Sequence, residues 1–243
     1  MYPAIDISRP TELRHAHENK PGTFLGNLAD ETWFGLLKNL HSRVYNRDDR
    51  LPVDTDEPSV YTILEGVVRQ DRHPLGNGAG MPTVTRFRGP GQLIGEAALI
   101  GYDTEADTRC LTRTTVIPCS ARYFSALIER RLPDARLALL RSLEERNRTD
   151  ELVYGMTVRP PLERISRLLA HLADTVGVPD PRAPQDTVIA GPGQKDIATA
   201  LELAVSTTEN AVRTLRYHGI IQARYRQFIV HNVDSLRHFA AGA

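Results

Sequence analysis

Cysteine and lysine are scarce in this chain of 243 residues, and long apolar runs are missing. The two cysteines, Cys110 and Cys119, form no CxxC pair and no metal-ligand spacing. A four-thiolate iron–sulfur cluster is therefore excluded within one chain. Both cysteines fall in a strand-like region and are expected to fill core positions rather than to form a disulfide. No stretch approaches the roughly 20 apolar residues needed to span a bilayer. The N-terminal MYPAIDISRPTELRHAHENKPGT is polar and lacks the apolar segment of a signal peptide, so a cytoplasmic protein with no membrane partner is expected. The formal net charge is +0, which by itself does not announce a nucleic-acid binder. Of 30 basic residues only Lys20, Lys38 and Lys195 are lysine, which leaves 27 arginines. Catalytic signatures are absent as well: there is no GxSxG, HExxH or Walker motif. The eight histidines are scattered, and His171 and His218 read as structural. No enzyme, metal or cofactor is expected.

The length suits two modest domains. Residues 1–23 read as a flexible tail. Trp33, Leu36, Leu37 and Leu40 recur at helical spacing after Asp30, a plausible N-cap, so a short helix is expected there. From 43 to 120 the pattern changes to short apolar runs separated by Gly, Pro and Asp: SVYTILEGVV, TVTRF, QLIGEAALI and TTVIPCS. In the first run Tyr61 and Ile63 share one face, with Val60, Thr62 and Leu64 on the other. Its β-branched and aromatic content suits strands, and the repetition indicates an antiparallel sandwich or barrel. HPLGNGAGMP (73–82) reads as a hairpin connection, since GxxxxGK[ST] is absent.

Helical patterning returns at about 121. Pro133 fits the first turn of a long helix that would run from Asp134 to about Met156, roughly 34 Å at 1.5 Å per residue. Leu132, Leu139 and Leu143 lie at seam spacing, and Asn147, Asp150 and Tyr154 continue it in polar form. The stripe reads either as packing within one domain or as a parallel dimer seam whose polar half faces a ligand or sets register. Pro160 and Pro161 end the helix, LERISRLLAHLA forms another, and VPDPRAPQD (178–186) reads as a proline-rich loop.

The most specific segment is GPGQKDIATALELAVSTTENAVRTLRYHGII (191–221). Read as two helices, the first buries Ile197, Ala198 and Leu201, and the second buries Thr208, Ala211, Val212 and Leu215. A tight turn around Glu202-Leu203-Ala204 joins them. This is a helix-turn-helix pattern, in which the second helix lies in the major groove. Gly219 ends that helix, and IIQARYRQFIVH, with DTVIAGPGQ before the motif, supplies a β-wing. The candidate DNA-binding residues are Gln194, Lys195, Val205, Ser206, Thr207, Asn210, Arg213 and Arg216. Hydroxyls and amides at a helix start hold phosphates, asparagine pairs with adenine, and arginine meets guanine or phosphate. Between 194 and 231 five basic residues face three acidic ones, a balance of +2 with histidine neutral. That bias is weak.

In this order, SVYTILEGVV, FRGPGQLIGEAALIG, TRCLTRTTVIPCSARYFSALI, the long helix and QKDIATALELAVSTTENAVRTLRYHGII resemble the Crp/Fnr family, the cyclic-AMP receptor protein type of bacterial regulator. The resemblance implies an α+β chain. It would comprise a cyclic-nucleotide-binding-like β-sandwich or jelly roll (24–132), a dimerisation helix (133–158) and a winged helix-turn-helix (159–243). It also implies a homodimer on palindromic double-stranded DNA. Gly95 and Glu96 match the family's Gly-Glu pair, whose carboxylate accepts a hydrogen bond from the ribose. The Arg-Ser or Arg-Thr pair that neutralises the cyclic phosphate falls on Thr104-Glu105, which removes a strong charge-assisted contact and adds a repelling carboxylate. Cyclic AMP or GMP is therefore not expected as effector, and Glu96 is left as either a turn residue or a ligand contact. The candidate effector-binding residues are Gly95, Glu96, Asn147 and Asp150, the last two with Glu151 in the polar seam.

At the DNA end Glu202 replaces the usual turn glycine, at about 1 kcal/mol if the turn is left-handed. The usual base-reading Arg, Glu and Arg fall on Val205, Ser206 and Asn210, so the classical operator is not expected. The leading function is a homodimeric transcription regulator. The expected partners are DNA, a second copy of the chain, RNA polymerase and an unidentified small-molecule effector. The alternative is a small-molecule sensor or protein-interaction module with degenerate DNA binding.

Overall fold

Alternate side chains of a strand point to opposite faces, and in the run SVYTILE both faces are covered. Tyr61 and Ile63 pack in one apolar cluster, while Val60 and Leu64 pack in another. A computed structural model describes residues 22–37, 40–52, 57–73, 84–101, 106–130 and 133–242 of the chain. The tail through residue 21, most of the glycine-rich loop, Leu132 and the Thr104-Glu105 pair lie outside the described residues. The chain divides into two compact units, residues 1–74 with 87–147, and 75–86 with 148–243.

The first unit opens with a 3-10 turn, Leu25–Asn27, and helix α1 (Asp30–Leu37). The strands follow: β1 (Arg43–Tyr45), β2 (Ser59–Glu65), β3 (Val68–Arg72), β4 (Val84–Arg88, at the division), β5 (Leu93–Ile94), β6 (Ala106–Cys110) and β7 (Thr114–Ser120). A second 3-10 turn, Glu96–Ile100, sits between β5 and β6, and helices α2 (Ala121–Arg130) and α3 (Pro133–Thr149) close the run. One sheet has the order β1-β7-β2-β5 and the other β4-β3-β6. The register is antiparallel, for example Tyr61 opposite Pro118 and Val68 opposite Cys110. Ile63, Val116, Ile94, Val68 and Cys110 fill the space between the sheets. The outer face of β2 and β7 is covered by Phe24, Trp33, Phe124 and Ala138. This is the expected α+β sandwich. Cys110 and Cys119 are buried, unbonded, and in different clusters. Burial pushes the Cys110 thiol up and the Cys119 thiol to about 11, so both are inert at neutral pH.

Helix α3 begins at Pro133 as expected, but its α-helical part ends at Thr149. A π turn, Asp150–Tyr154, carries the chain on, closed by the Gly155 N–H donating to the Asp150 carbonyl at 2.9 Å. Leu139 packs into the first unit's own core, and the exposed leucines of α3 are Leu137 and Leu140.

The second unit contains α4 (Pro161–Val176), β8 (Val178–Asp180), β9 (Ala183–Ala190), α5 (Gln194–Ala200), α6 (Val205–Tyr217), β10 (Ile221–Arg224), β11 (Gln227–Val230) and α7 (Val233–Ala241). Pro161 occupies the first turn of α4, where its missing N–H costs nothing. The segment 178–186 is not a loop: β8 and most of β9 form a hairpin in a sheet of order β10-β11-β9-β8. The prolines misled because proline is tolerated on an edge strand, and Pro179 lies on the edge strand β8. Helix α7 had no sequence signal strong enough to be expected. Asn232 caps it, its side chain accepting from the Ser235 N–H at 2.9 Å. Among the described residues no helix is long and apolar enough to cross a membrane.

Candidate nucleic-acid interface

Helices α5 and α6 pack as the apolar spacing requires. Ile197, Ala198 and Leu201 are buried on the first, and Thr208, Ala211, Val212 and Leu215 on the second. The Asp196 carboxylate reaches back to the Gly193 N–H at 2.8 Å and fixes the start of α5. The turn is left-handed at Glu202, with φ 53°. The Leu203 N–H closes it on the Ala198 carbonyl at 2.9 Å.

The N-cap of α6 is Ala204, whose side chain makes no cap bond. The first amides of the helix are thus left for an outside acceptor. Val205, Ser206, Asn210, Arg213 and Arg216 are exposed on one side of α6, and Thr207 is half-buried. Val205 is 39% exposed, enough to offer an apolar contact such as a thymine methyl accepts. Lys195 is exposed on α5, while Gln194 is half-buried. Arg213 Nη1 donates to Asn210 Oδ1 at 3.0 Å. The Asn210 Oδ1 is thereby engaged, which leaves the two N–H donors of its amide for an outside acceptor. Arg213, Arg216, Tyr217, Gln222 and His231 line an open groove of about 540 Å³ beside the helix. His231 Nδ1 meets Asp186 Oδ2 at 2.8 Å and ties the end of β11 to β9.

The wing is the hairpin of β10 and β11, with Arg224 paired opposite Gln227 across a two-residue turn. Arg226 is left-handed there, at φ 49°. Tyr225 is 86% exposed at the tip, and Arg224 donates to Gln222 Oε1 at 2.9 Å. Arg224 and Arg226 flank that ring, and the groove joins Gln222 of β10 to Arg213 and Arg216 of α6.

The candidate effector residues divide between the two units. In the first, Gly95 is left-handed at φ 82°, and a Cβ there would lie 2.5 Å from the Ser59 carbonyl oxygen, so only glycine fits. Glu96 follows at the head of the 3-10 turn. Arg146 of α3 donates to its Oε1, and its Oε2 is buried without a partner among the described residues. Asn147 is exposed. In the second unit Asp150 is held by Arg86, whose Nε lies 3.1 Å from Oδ2. The Arg86 guanidinium also sits over the Tyr154 ring, 4.2 Å from its centroid. Arg86 and Arg146 were not among the expected site residues. A helical spacing of four from Arg146 to Asp150, and an arginine inside the strand run TVTRF, were the available hints.

No protein-family model and no curated protein matches the chain. Among solved structures it is similar to a CRP/FNR-family transcriptional regulator from Thermus thermophilus, at 19% identity and TM-score 0.63, over 83% of this chain and 99% of that one. FixK2 from Bradyrhizobium japonicum is similar at 19% identity and TM-score 0.65, over 84% and 98%. A cyclic nucleotide-binding domain containing protein from Listeria monocytogenes is similar at 18% identity and TM-score 0.65, also over 84% and 98%. At these identities the likeness establishes the fold: a cyclic-nucleotide-binding-type sandwich followed by a winged helix-turn-helix.

Proposed function

We propose that the chain is a DNA-binding transcription regulator of the Crp/Fnr type, acting as a cytoplasmic homodimer and not gated by cyclic AMP in the usual way. The observation that carries the DNA-binding reading is the outward face of α6. Ser206, Asn210, Arg213 and Arg216 are exposed there beside a basic wing, on a fold shared with regulators. Phosphate contacts fall to Lys195, Thr207, Arg216 and the wing arginines, with Gln194 at their edge. Base reading falls to Val205, Ser206 and Asn210, with Arg213 beside it.

The dimer reading is supported by Leu137 and Leu140, exposed on one side of α3 and followed at coiled-coil spacing by exposed Glu144 and Asn147. The gating reading is supported by Glu96. One oxygen of its carboxylate already accepts from Arg146, and Thr104-Glu105 offers a cyclic phosphate no cation. Gly95, Glu96, Asn147 and Asp150 remain the candidate residues for another small-molecule effector, and RNA polymerase is the partner an activator would recruit.

Selection of genomic fragments with the purified protein, with and without cyclic AMP, tests this reading. The expected result is one palindromic sequence enriched equally in both conditions and bound with steep salt dependence. Enrichment only with cyclic AMP would overturn the gating reading. No enrichment in either condition would favour an interaction module with degenerate DNA binding.

A further inference from the structure

A buried cation is costly unless something compensates it, and Arg164 is such a cation with no place in the surface described above. It lies on α4, is 6% exposed, and no carboxylate among the described residues pairs with it. Its Nε is buried without a partner. Its Nη2 donates to one backbone oxygen, that of Leu201, 37 residues further along the chain.

Leu201 is the C-cap of α5. The neighbouring carbonyls of the helix have donors of their own: Ala198 accepts from Leu203 at 2.9 Å and Thr199 from Glu202 at 3.2 Å. The Leu201 carbonyl and the Glu202 N–H belong to the same rigid peptide plane. That plane is held at both ends, its N–H by Thr199 and its oxygen by Arg164. Its orientation sets φ at Glu202, which is 53°, a conformation that residues with a Cβ resist. Nothing in the side chain of a glutamate favours it, so the hold comes from the backbone bonds of the turn and from Arg164.

We propose that Arg164 is a positioning residue of the DNA interface: it holds Glu202 in the left-handed turn and thereby sets the direction in which α6 leaves α5. Arginine suits the task because it keeps its charge when buried and its several donors lie in one plane. The proposal rests on the reading of α6 as the DNA-reading helix. Its claim about the turn, however, stands or falls without DNA.

The test uses the full chain with Arg164→Met, Glu202→Gly, the double variant and Arg164→Lys. Amide hydrogen exchange at Glu202 and Leu203 reports the turn, and affinity for the selected operator reports the interface. Losing a charge-assisted bond in Arg164→Met should speed exchange at both amides and weaken operator binding, each by about tenfold or more. Exchange at Phe228 and Ile229 in β11 should stay as in the wild type. Glu202→Gly alone should change either readout by less than about twofold, because glycine adopts the turn unaided. Combined with Arg164→Met it should recover most of both losses, which loss of packing alone would not allow. Arg164→Lys, with a single charged donor group, should fall between wild type and Arg164→Met. Unchanged exchange at Glu202 and Leu203 in Arg164→Met, or a double variant no better than the single one, would overturn the proposal. If Arg164→Met does not fold, a folded double variant supports the proposal and an unfolded one overturns it. A wild type that selects no operator refutes the DNA reading, and the exchange data then decide the turn separately.

Discussion

Replacing Leu137 and Leu140 together with alanine should separate the protomers without unfolding them. The two side chains are 49% and 55% exposed in the single chain, so about half of each remains to be covered by a partner. Full burial of a leucine is worth roughly 1.5–3 kcal/mol, so the uncovered half is worth roughly 0.8–1.5 kcal/mol per side chain. A two-fold seam counts each leucine twice, so four side chains contribute roughly 3–6 kcal/mol to association. At about 1.4 kcal/mol per factor of ten, the double variant should dimerise roughly 10²- to 10⁴-fold more weakly. Sedimentation equilibrium over a dilution series measures this directly. Leu139→Ala is the contrasting variant, because Leu139 packs against the first unit's own core. It should lower the thermal midpoint and leave the association constant near that of the wild type. A double variant that associates as tightly as the wild type would refute the seam. So would a Leu139→Ala protein that loses the dimer while keeping its midpoint.

Two further outcomes follow from the charges and the thiols. Arg216→Ala and Lys195→Ala should each weaken operator binding across sequences and reduce the slope of log affinity against log salt by about 0.9, one phosphate contact's worth; an unchanged slope would remove that residue from the interface. Cys119 titrates at about 11 because burial disfavours its thiolate, while an unfolded thiol titrates near the ordinary value. The folded state then holds a proton that the unfolded state has lost, so the stability it contributes is full below about pH 8.5 and drains away toward pH 11. Thermal midpoints taken across that range should fall more steeply in the wild type than in Cys119→Ala, and parallel slopes would argue against the assignment.

What was legible in the sequence was local. The period of two in SVYTILE placed Tyr61 and Ile63 apart from Val60 and Leu64. The period near four in 194–217 named the buried residues of both helices, because burial of one stripe is the force that forms them. The proline-rich hairpin was misread because proline's cost depends on whether a strand is at an edge, and strand order is a property of the whole sheet. Which stripe of α3 meets the core was left open for a related reason. Leu137, Leu139, Leu140 and Leu143 all fit some helical stripe, and only the core they meet decides which one turns inward.

The pairs that matter most to the candidate sites were illegible because their members are far apart in the chain: Glu96 and Arg146 by 50 residues, Arg86 and Asp150 by 64, Arg164 and Leu201 by 37. No spacing rule reaches that far. Yet composition held a trace of them. With 27 arginines to three lysines, the chain is supplied with the one cation that stays charged in partly dry surroundings and bonds in a plane. Arg86, Arg146 and Arg164 are half-buried or buried, whereas Lys195 is exposed. A lysine at 164 would offer the Leu201 carbonyl a compact, strongly hydrated charge that resists burial. A lysine at 86 would lose the planar stacking on Tyr154. A neutral chain can therefore rely on basic residues: Arg86, Arg146 and Arg164 are turned inward, where they fix carboxylates and backbone, while Lys195, Arg213, Arg216 and Arg224 stay exposed on α5, α6 and the wing.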